Sequence, residues 1–288
     1  MEYYENKVVL VTGAGSGLGL SIVKQLACVP NCRILASGRS QARMTETFRD
    51  FPHIETCCID LEWDDGKILE AVGKIHDRHG RIDILVNCAG MGFRGQVVDT
   101  TLEVDRRIMQ VDYFGQVAVI KGVLGSNRMK GLARCHILQV SSVQGYFGIG
   151  DRAPYSAAKH ALVGFIDSLR AEIDTLNDKS EVFVTMVSPG YIATNHSCNA
   201  VTADGAIYSR NDETTAEGWS PDEVAHKALL AAACKEREVV LADVKIKFLV
   251  IIRCLFATLC FRLIRNRQIG RRESVLKTVL MWLFGIEA

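Results

Sequence analysis

The sequence predicts an α/β fold, a doubly wound parallel sheet flanked by helices and followed by an apolar helical tail. Three observations carry this. Short runs that are apolar on both faces recur along the chain, as parallel strands buried between two helical layers require. Longer amphipathic stretches follow the first five of these runs, the alternation from which crossover connections are built. A glycine-rich turn, TGAGSGLG at 12–19, joins the first run directly to its helix.

Strands are expected at 7–12 (KVVLVT), 32–37 (CRILAS), 54–60 (IETCCID), 82–87 (IDILVN), 135–142 (CHILQVSS), 182–190 (VFVTMVSPG) and 238–243 (EVVLAD). Before the last of them, SPDEVAHKALLAAACKE forms a helix with Ser220 as N-cap and Pro221 at the first helical position. No internal repeat or low-complexity linker interrupts residues 1–246, which read as one domain. The character changes at Lys247, so 247–288 form a tail of their own.

Size and charge narrow the function. A chain of 288 residues suffices for one large α/β domain with a well-buried core. A formal net charge of +1 supplies no field that favours nucleic acid, and none is expected as a partner. The ten cysteines are isolated apart from adjacent Cys57 and Cys58, with no CxxC pair and no metal-like His/Cys spacing. Reduced thiols in a cytosol-facing protein are therefore expected, and no metal site. Only MEYYEN precedes the first strand, too little for a cleavable signal or an N-terminal anchor, and secretion by that route is not expected.

Gly13, Gly17 and Gly19 stand between the first strand and its helix. They permit a tight turn and close backbone approach, so a pyrophosphate can rest on the N–H groups at the helix start; a purely structural turn is the alternative. At the end of the second strand, where a fold selecting NAD offers Asp or Glu to the ribose, this chain has Arg39. A guanidinium there pairs with a 2′-phosphate and points to NADP(H), or else it is a solvated arginine. Asp60 either accepts from the adenine amino group or caps a helix.

Tyr155 and Lys159 in YSAAK lie four apart and share a helix face. The ammonium is expected to lower the phenol's pKa towards a useful value, making it a proton donor. Ser142, closing the fifth strand, lies at the carboxyl edge where open α/β sheets bind ligands. Its hydroxyl can bond a substrate carbonyl while the phenol protonates the oxygen and a nicotinamide delivers hydride to the carbon.

TGAGSGLG, NCAG at 87–90, Ser142, YSAAK and SPGYIAT at 188–194 together resemble the short-chain dehydrogenase/reductase family, over roughly 7–243. The resemblance implies a single Rossmann-like domain and an NAD(P)(H)-dependent oxidoreductase with Ser142, Tyr155 and Lys159 catalytic, Lys159 also bonding the nicotinamide ribose. It further implies cofactor contacts at Gly13, Ser16, Gly17, Leu18, Gly19, Arg39, Asp60, Asn87, Ala89, Gly90, Pro189, Gly190, Ile192 and Thr194. KHALVGFIDSLRAE, SPGYIATNHSCNAVTADGAIY and TTAEGWSPDEVA resemble more closely the dehydrogenase/reductase family member 7B group, related to 11-beta-hydroxysteroid dehydrogenase-like reductases. That group is membrane-associated and implicated in reducing acyl- or alkyl-dihydroxyacetone phosphate. The likeness implies a lipophilic substrate, with steroids or retinoids as the alternative, and a homo-oligomer.

One position departs from the family. Where the family has Asn in a context like VNYFG, this chain reads VDYFG, with Asp112. A carboxylate there accepts from the same water or backbone N–H but loses the amide donor, and its charge raises the pKa of Lys159. A catalytically weak NADPH-binding sensor is the rival reading it motivates. In the tail, FLVIIRCLFATLCFRLI (248–264) is near the lower limit of a membrane span and is interrupted by Arg253 and Arg262. Arg265, Arg267, Arg271 and Arg272 follow, then the apolar VLKTVLMWLFG. Helices lying in a membrane interface are expected, facing the cytosol on endoplasmic reticulum or peroxisome; a cytoplasmic protein with lid or dimer helices is the alternative.

Overall fold

Every expected strand forms in the computed structural model, which describes residues 1–129, 134–175 and 181–268. The strands are β1 (Val8–Thr12), β2 (Arg33–Gly38), β3 (Ile54–Cys58), β4 (Ile84–Asn87), β5 (Phe93–Arg94), β6 (Arg134–Val140), β7 (Glu181–Pro189), β8 (Val201–Thr202) and β9 (Glu238–Leu241). The helices are α1 (Gly17–Leu26), α2 (Gln41–Thr47), α3 (Asp65–His79), α4 (Leu102–Met109), α5 (Gly115–Met129), α6 (Ala153–Thr175), α7 (Glu213–Ala216), α8 (Pro221–Ala233), α9 (Val244–Leu255) and α10 (Ala257–Gln268).

Seven strands make one parallel sheet in the order β3-β2-β1-β4-β6-β7-β9. The chain winds outward in both directions from β1, which opens a crevice at the carboxyl ends of β1 and β4. All five residues of β1 are buried. Val9 and Val11 enter the core shared with Ile22 and Leu26 of α1 and Leu229 of α8; Leu10 enters the core shared with Ile68 and Val72 of α3 and Ile120 of α5. Burial on both faces is why the run shows no polar alternation.

β3, β6 and β9 each end two residues before the expected position, at Cys58, Val140 and Leu241, because the backbone there leaves the ladder to form the crevice loops. Ser220 caps α8 as expected, its hydroxyl accepting from Glu223 N at 3.1 Å. β5 and β8 pair in parallel as a separate two-stranded sheet, Phe93 opposite Val201, and stitch the segment after β7 to the segment after β4.

The tail departs from a single apolar span. The run at 248–264 is divided at Phe256 (φ −140°, ψ 66°) into two twelve-residue helices. Among the described residues no helix is long and apolar enough to cross a membrane. α9 begins at Val244, ahead of the expected boundary at Lys247, and Ile252, Leu259 and Cys260 pack on Val143 and Phe147 beside the end of β6. Its other face leaves Val244, Phe248, Ile251 and Leu255 exposed at a helical spacing, continued by Phe256 and Phe261. The expected second apolar stretch at 275–285, with Arg271 and Arg272 before it, lies outside the described residues.

Candidate active site

The turn after β1 is shaped by glycine. Gly13 has φ +67°, and a Cβ there would come within 2.7 Å of Ala89 Cα, so β1 and β4 approach at their carboxyl ends more closely than any side chain permits. Gly17, at φ +51°, lies against the Thr194 side chain, and a Cβ on Gly19 would meet Gly13 O at 2.3 Å. Ser16 is the N-cap of α1 but its side chain does not cap it, and the residue is exposed in the crevice. Leu18 is buried, so only its backbone is open to the crevice. This cradle fits a dinucleotide pyrophosphate: small, open, and lined by the amides of a helix start.

The floor is held by a buried amide network. Asn87 accepts from Thr12 Oγ1 at 3.0 Å and donates to Gln116 O at 3.1 Å and Gln139 Oε1 at 2.9 Å. Gln116 in turn donates to Ala89 O at 2.8 Å and accepts from Gln139 Nε2 at 2.7 Å. The Asn87 side chain, fully buried, fixes the strand end that carries Ala89 and Gly90. Arg39 is exposed at the end of β2 and has no ion pair among the described residues. The helix-cap alternative for Asp60 is corrected: Asp60 closes a turn by accepting from Glu62 N at 3.0 Å, whereas α3 is capped by Asp64. Pro189 ends β7, Gly190 N bonds Leu241 O, and Ile192 bridges to Trp219, which brings Thr194 over Gly17.

A single π-helical turn, Gln110–Phe114, joins α4 to α5 and carries Asp112. Such turns in a helix redirect side chains, often at functional sites. Asp112 is fully buried, its Oδ1 3.0 Å from Lys159 Nζ, and both its oxygens accept from Met91 N at 3.2 Å. The backbone N–H contact expected of this carboxylate thus forms, with Met91, and the direct pair with Lys159 stands beside it. A Cβ on Gly90 would lie 2.7 Å from Asp112 Oδ1 and 3.5 Å from Lys159 Nζ, so the floor of the crevice rests on this pair.

Tyr155 and Lys159 share one face of α6 as expected, Nζ 5.4 Å from the phenol ring centre. Ser142 follows β6, its Oγ accepting from Gln144 N at 3.2 Å. The expected lowering of the Tyr155 pKa does not carry the balance. Burial raises it most, Lys159 lowers it, Asp112 raises it, and Ser142 and Arg94 lower it, for a net rise. The phenol is thus held protonated at neutral pH, as a proton donor requires. Burial pushes Lys159 down, but Asp112 and Tyr155 outweigh it and hold the ammonium above its ordinary range.

His196 faces this site and was not anticipated from the sequence. Its ring stands 6.0 Å from that of Tyr155, edge to face, and its Nε2 lies where a Cβ on Gly92 would be 3.0 Å away. Enclosure in the cleft and then the cations Lys159, Arg94 and Arg152 push its pKa down to about 4. The residue as a whole keeps an exposed surface at the crevice.

The sequence pattern of the family described as short chain dehydrogenase matches residues 7–204. Over 283 residues the chain is 39% identical to the Bos taurus protein "Dehydrogenase/reductase SDR family member 7B", covering 94% of this chain and 84% of that one. It is 38% identical over 279 residues to the Drosophila melanogaster "Dehydrogenase/reductase SDR family protein 7-like", covering 94% and 83%. Among solved structures, a short chain dehydrogenase/reductase of Burkholderia phymatum in complex with NAD superposes with a TM-score of 0.76 over 95% of this chain and 98% of that one. At 17% identity it speaks for the fold alone. Actinorhodin polyketide ketoreductase with NADPH superposes with a TM-score of 0.67 at 25% identity, over 82% and 95% of the two chains.

Proposed function

The chain belongs to the short-chain dehydrogenase/reductase family, and from that premise we propose that it reduces a ketone or aldehyde on a lipophilic substrate with NADP(H). A nicotinamide cofactor follows from the family and from the glycine cradle that fits it. The observation that carries the reductase reading is the convergence of Ser142, Tyr155 and Lys159 at the carboxyl edge of the sheet, beside that cradle. Exposed Arg39, with no acidic residue at the end of β2, supports a 2′-phosphate and so NADP(H) over NAD.

When bound, the nicotinamide supplies hydride to the carbonyl carbon. Ser142 donates a hydrogen bond to the carbonyl oxygen and orients it. Tyr155 gives its phenolic proton to that oxygen, and the ammonium of Lys159 stabilises the phenolate left behind. Asp112 keeps Lys159 charged and in place; Met91 N holds Asp112. The chain's likeness to the 7B relatives supports acyl- or alkyl-dihydroxyacetone phosphate as substrate, with steroid or retinoid as the alternative. The exposed apolar stripe of α9 and α10, edged by Lys245, Lys247, Arg262 and Arg265, supports docking on an anionic membrane surface facing the cytosol.

A second reading rests on the same ion pair. If Asp112 holds Lys159 away from the phenol, the protein binds NADPH without efficient turnover and serves as a sensor. Hydride transfer from NADPH to a panel of reactive carbonyls, abolished by Tyr155→Phe, supports the reductase. Tight NADPH binding with no turnover across the panel selects the sensor.

A further inference from the structure

The turn that follows β7 carries a polar ring whose polar atoms the protein does not use. His196 N donates to Thr194 Oγ1 at 3.3 Å, and Asn199 N closes the turn on Asn195 O at 3.0 Å. Fully buried Ser197, next in the chain, donates from Oγ to Thr215 Oγ1 of α7 at 2.8 Å. The backbone thus fixes where His196 stands. A Cβ on Gly92 would lie 3.0 Å from its Nε2 and 3.2 Å from its Cδ2, so the bare backbone of Gly92 makes room for that edge of the imidazole. Across the crevice the ring meets that of Tyr155, edge to face, with centres 6.0 Å apart. Among the described residues neither ring nitrogen of His196 has a hydrogen-bond partner.

The charges around this ring are answered within the protein. Lys159 pairs with Asp112 at 3.0 Å. Arg94 and Arg152 both donate to Asp212 Oδ2, at 2.7 and 3.1 Å, and Asp151 acts on Arg152 as well. Enclosure, and then the cations Lys159, Arg94 and Arg152, push the imidazole pKa down to about 4. At neutral pH the ring therefore offers one N–H donor and one bare nitrogen acceptor, without charge. Such a pair suits an uncharged hydroxyl or carbonyl rather than an anion. Polar atoms left unused beside the reacting group are where the polar atoms of a ligand are expected.

We propose that His196 is a specificity-determining residue whose ring hydrogen-bonds an uncharged hydroxyl or carbonyl oxygen on the carbon next to the one reduced. The proposal rests on the reductase reading, in which Ser142 and Tyr155 hold the carbonyl oxygen. A substituent of the carbonyl carbon then extends along the wall that His196 forms. The alternative is that the imidazole only packs against the Tyr155 ring, a task that any apolar side chain of similar size performs.

The test uses the full chain with NADPH and a matched pair of ketones, α-hydroxyacetophenone and propiophenone, which differ by a hydroxyl in place of a methyl. His196→Leu and His196→Phe both remove the nitrogens, and the second keeps a ring against Tyr155. In either variant the ratio of kcat/KM, hydroxy ketone over propiophenone, should fall about tenfold from its wild-type value, a comparison that cancels the unequal intrinsic reactivity of the pair. His196→Gln, with an amide donor and acceptor, should recover part of the ratio. Unchanged NADPH affinity reports that each variant is folded. If both ketones slow together and the ratio holds, the ring only packs and the proposal falls. Binding of product alcohols to the NADPH complex, read by calorimetry, needs no turnover. The affinity of 1-phenyl-1,2-ethanediol should drop about tenfold in His196→Leu while that of 1-phenyl-1-propanol holds. That pattern with no reduction of either ketone would retain the contact and remove the reductase. Reduction of both ketones at a ratio that the variants leave unmoved would do the opposite.

Discussion

Lys159 and Asp112 form an ion pair inside the protein, Nζ to Oδ1 at 3.0 Å, with at most 4% of either side chain exposed. Because Tyr155 is one helical turn from Lys159, the phenol is under two opposed influences whose balance one substitution changes.

Asp112→Asn removes the anion that opposes a phenolate on Tyr155. The phenol should ionise at lower pH, so the acid limb of the profile for alcohol oxidation with NADP+ should move down. Comparing kcat/KM against pH for the two proteins checks this, and an upward shift contradicts the electrostatic account. Lys159 also loses the partner that holds it charged, so NADP+ affinity should fall at alkaline pH in the variant.

Tyr155→Phe removes the proton donor and leaves the ring to pack. Carbonyl reduction should fall by about a hundredfold or more at unchanged fold and NADPH affinity. Near-normal turnover in a folded variant would remove Tyr155 from its assigned role. Lys159→Ala, in contrast, should weaken NADPH binding as well as turnover.

Arg39→Ala should reduce the preference for NADPH over NADH by about tenfold or more, because a charge-assisted contact to the 2′-phosphate is lost. Steady-state kinetics with both cofactors decide it. A wild-type protein that already prefers NADH contradicts the assignment of Arg39.

Phe248→Ser combined with Leu255→Ser removes two residues of the exposed stripe on α9. If the stripe enters a membrane interface, each contributes on the order of 1 kcal/mol or more, and affinity for phosphatidylserine-containing vesicles, read by co-sedimentation, should fall about thirtyfold or more in the double variant. High salt should weaken wild-type binding in addition. Equal binding by both proteins means that the stripe is not the docking surface.

The strands were legible because the central ones are buried on both faces and even the half-buried edge strands β3 and β9 keep apolar runs, and the Ser142, Tyr155 and Lys159 set because its spacing survives in one dimension. What escaped depends on distant contacts. β5 and β8 have two residues each and exist only because Phe93 meets Val201. The division of the tail at Phe256 carries no proline or glycine, and mostly apolar residues run on past it to Phe261, which concealed it. Gln139 within CHILQVSS is a polar residue in an apolar strand, a signal that pointed to a buried partner without naming Asn87 or Gln116. His196 and the sharing of Asp212 by Arg94 and Arg152 come from folding the segment after β7 back over the crevice, which spacing alone does not reveal.

The amide network has a consequence for how the chain finds its alignment. In a sheet that is apolar on both faces, sliding one strand past another by a residue exchanges one greasy side chain for the next, so hydrophobicity discriminates weakly between alignments. Thr12, Asn87 and Gln139 sit directly opposite one another on β1, β4 and β6. A slip of any of these strands would strand buried donors and acceptors at about 1–3 kcal/mol apiece, whereas the native alignment satisfies them at once. The three residues thus act as a proofreading mark across the centre of the sheet, rejecting mispaired intermediates that the rest of the core would tolerate.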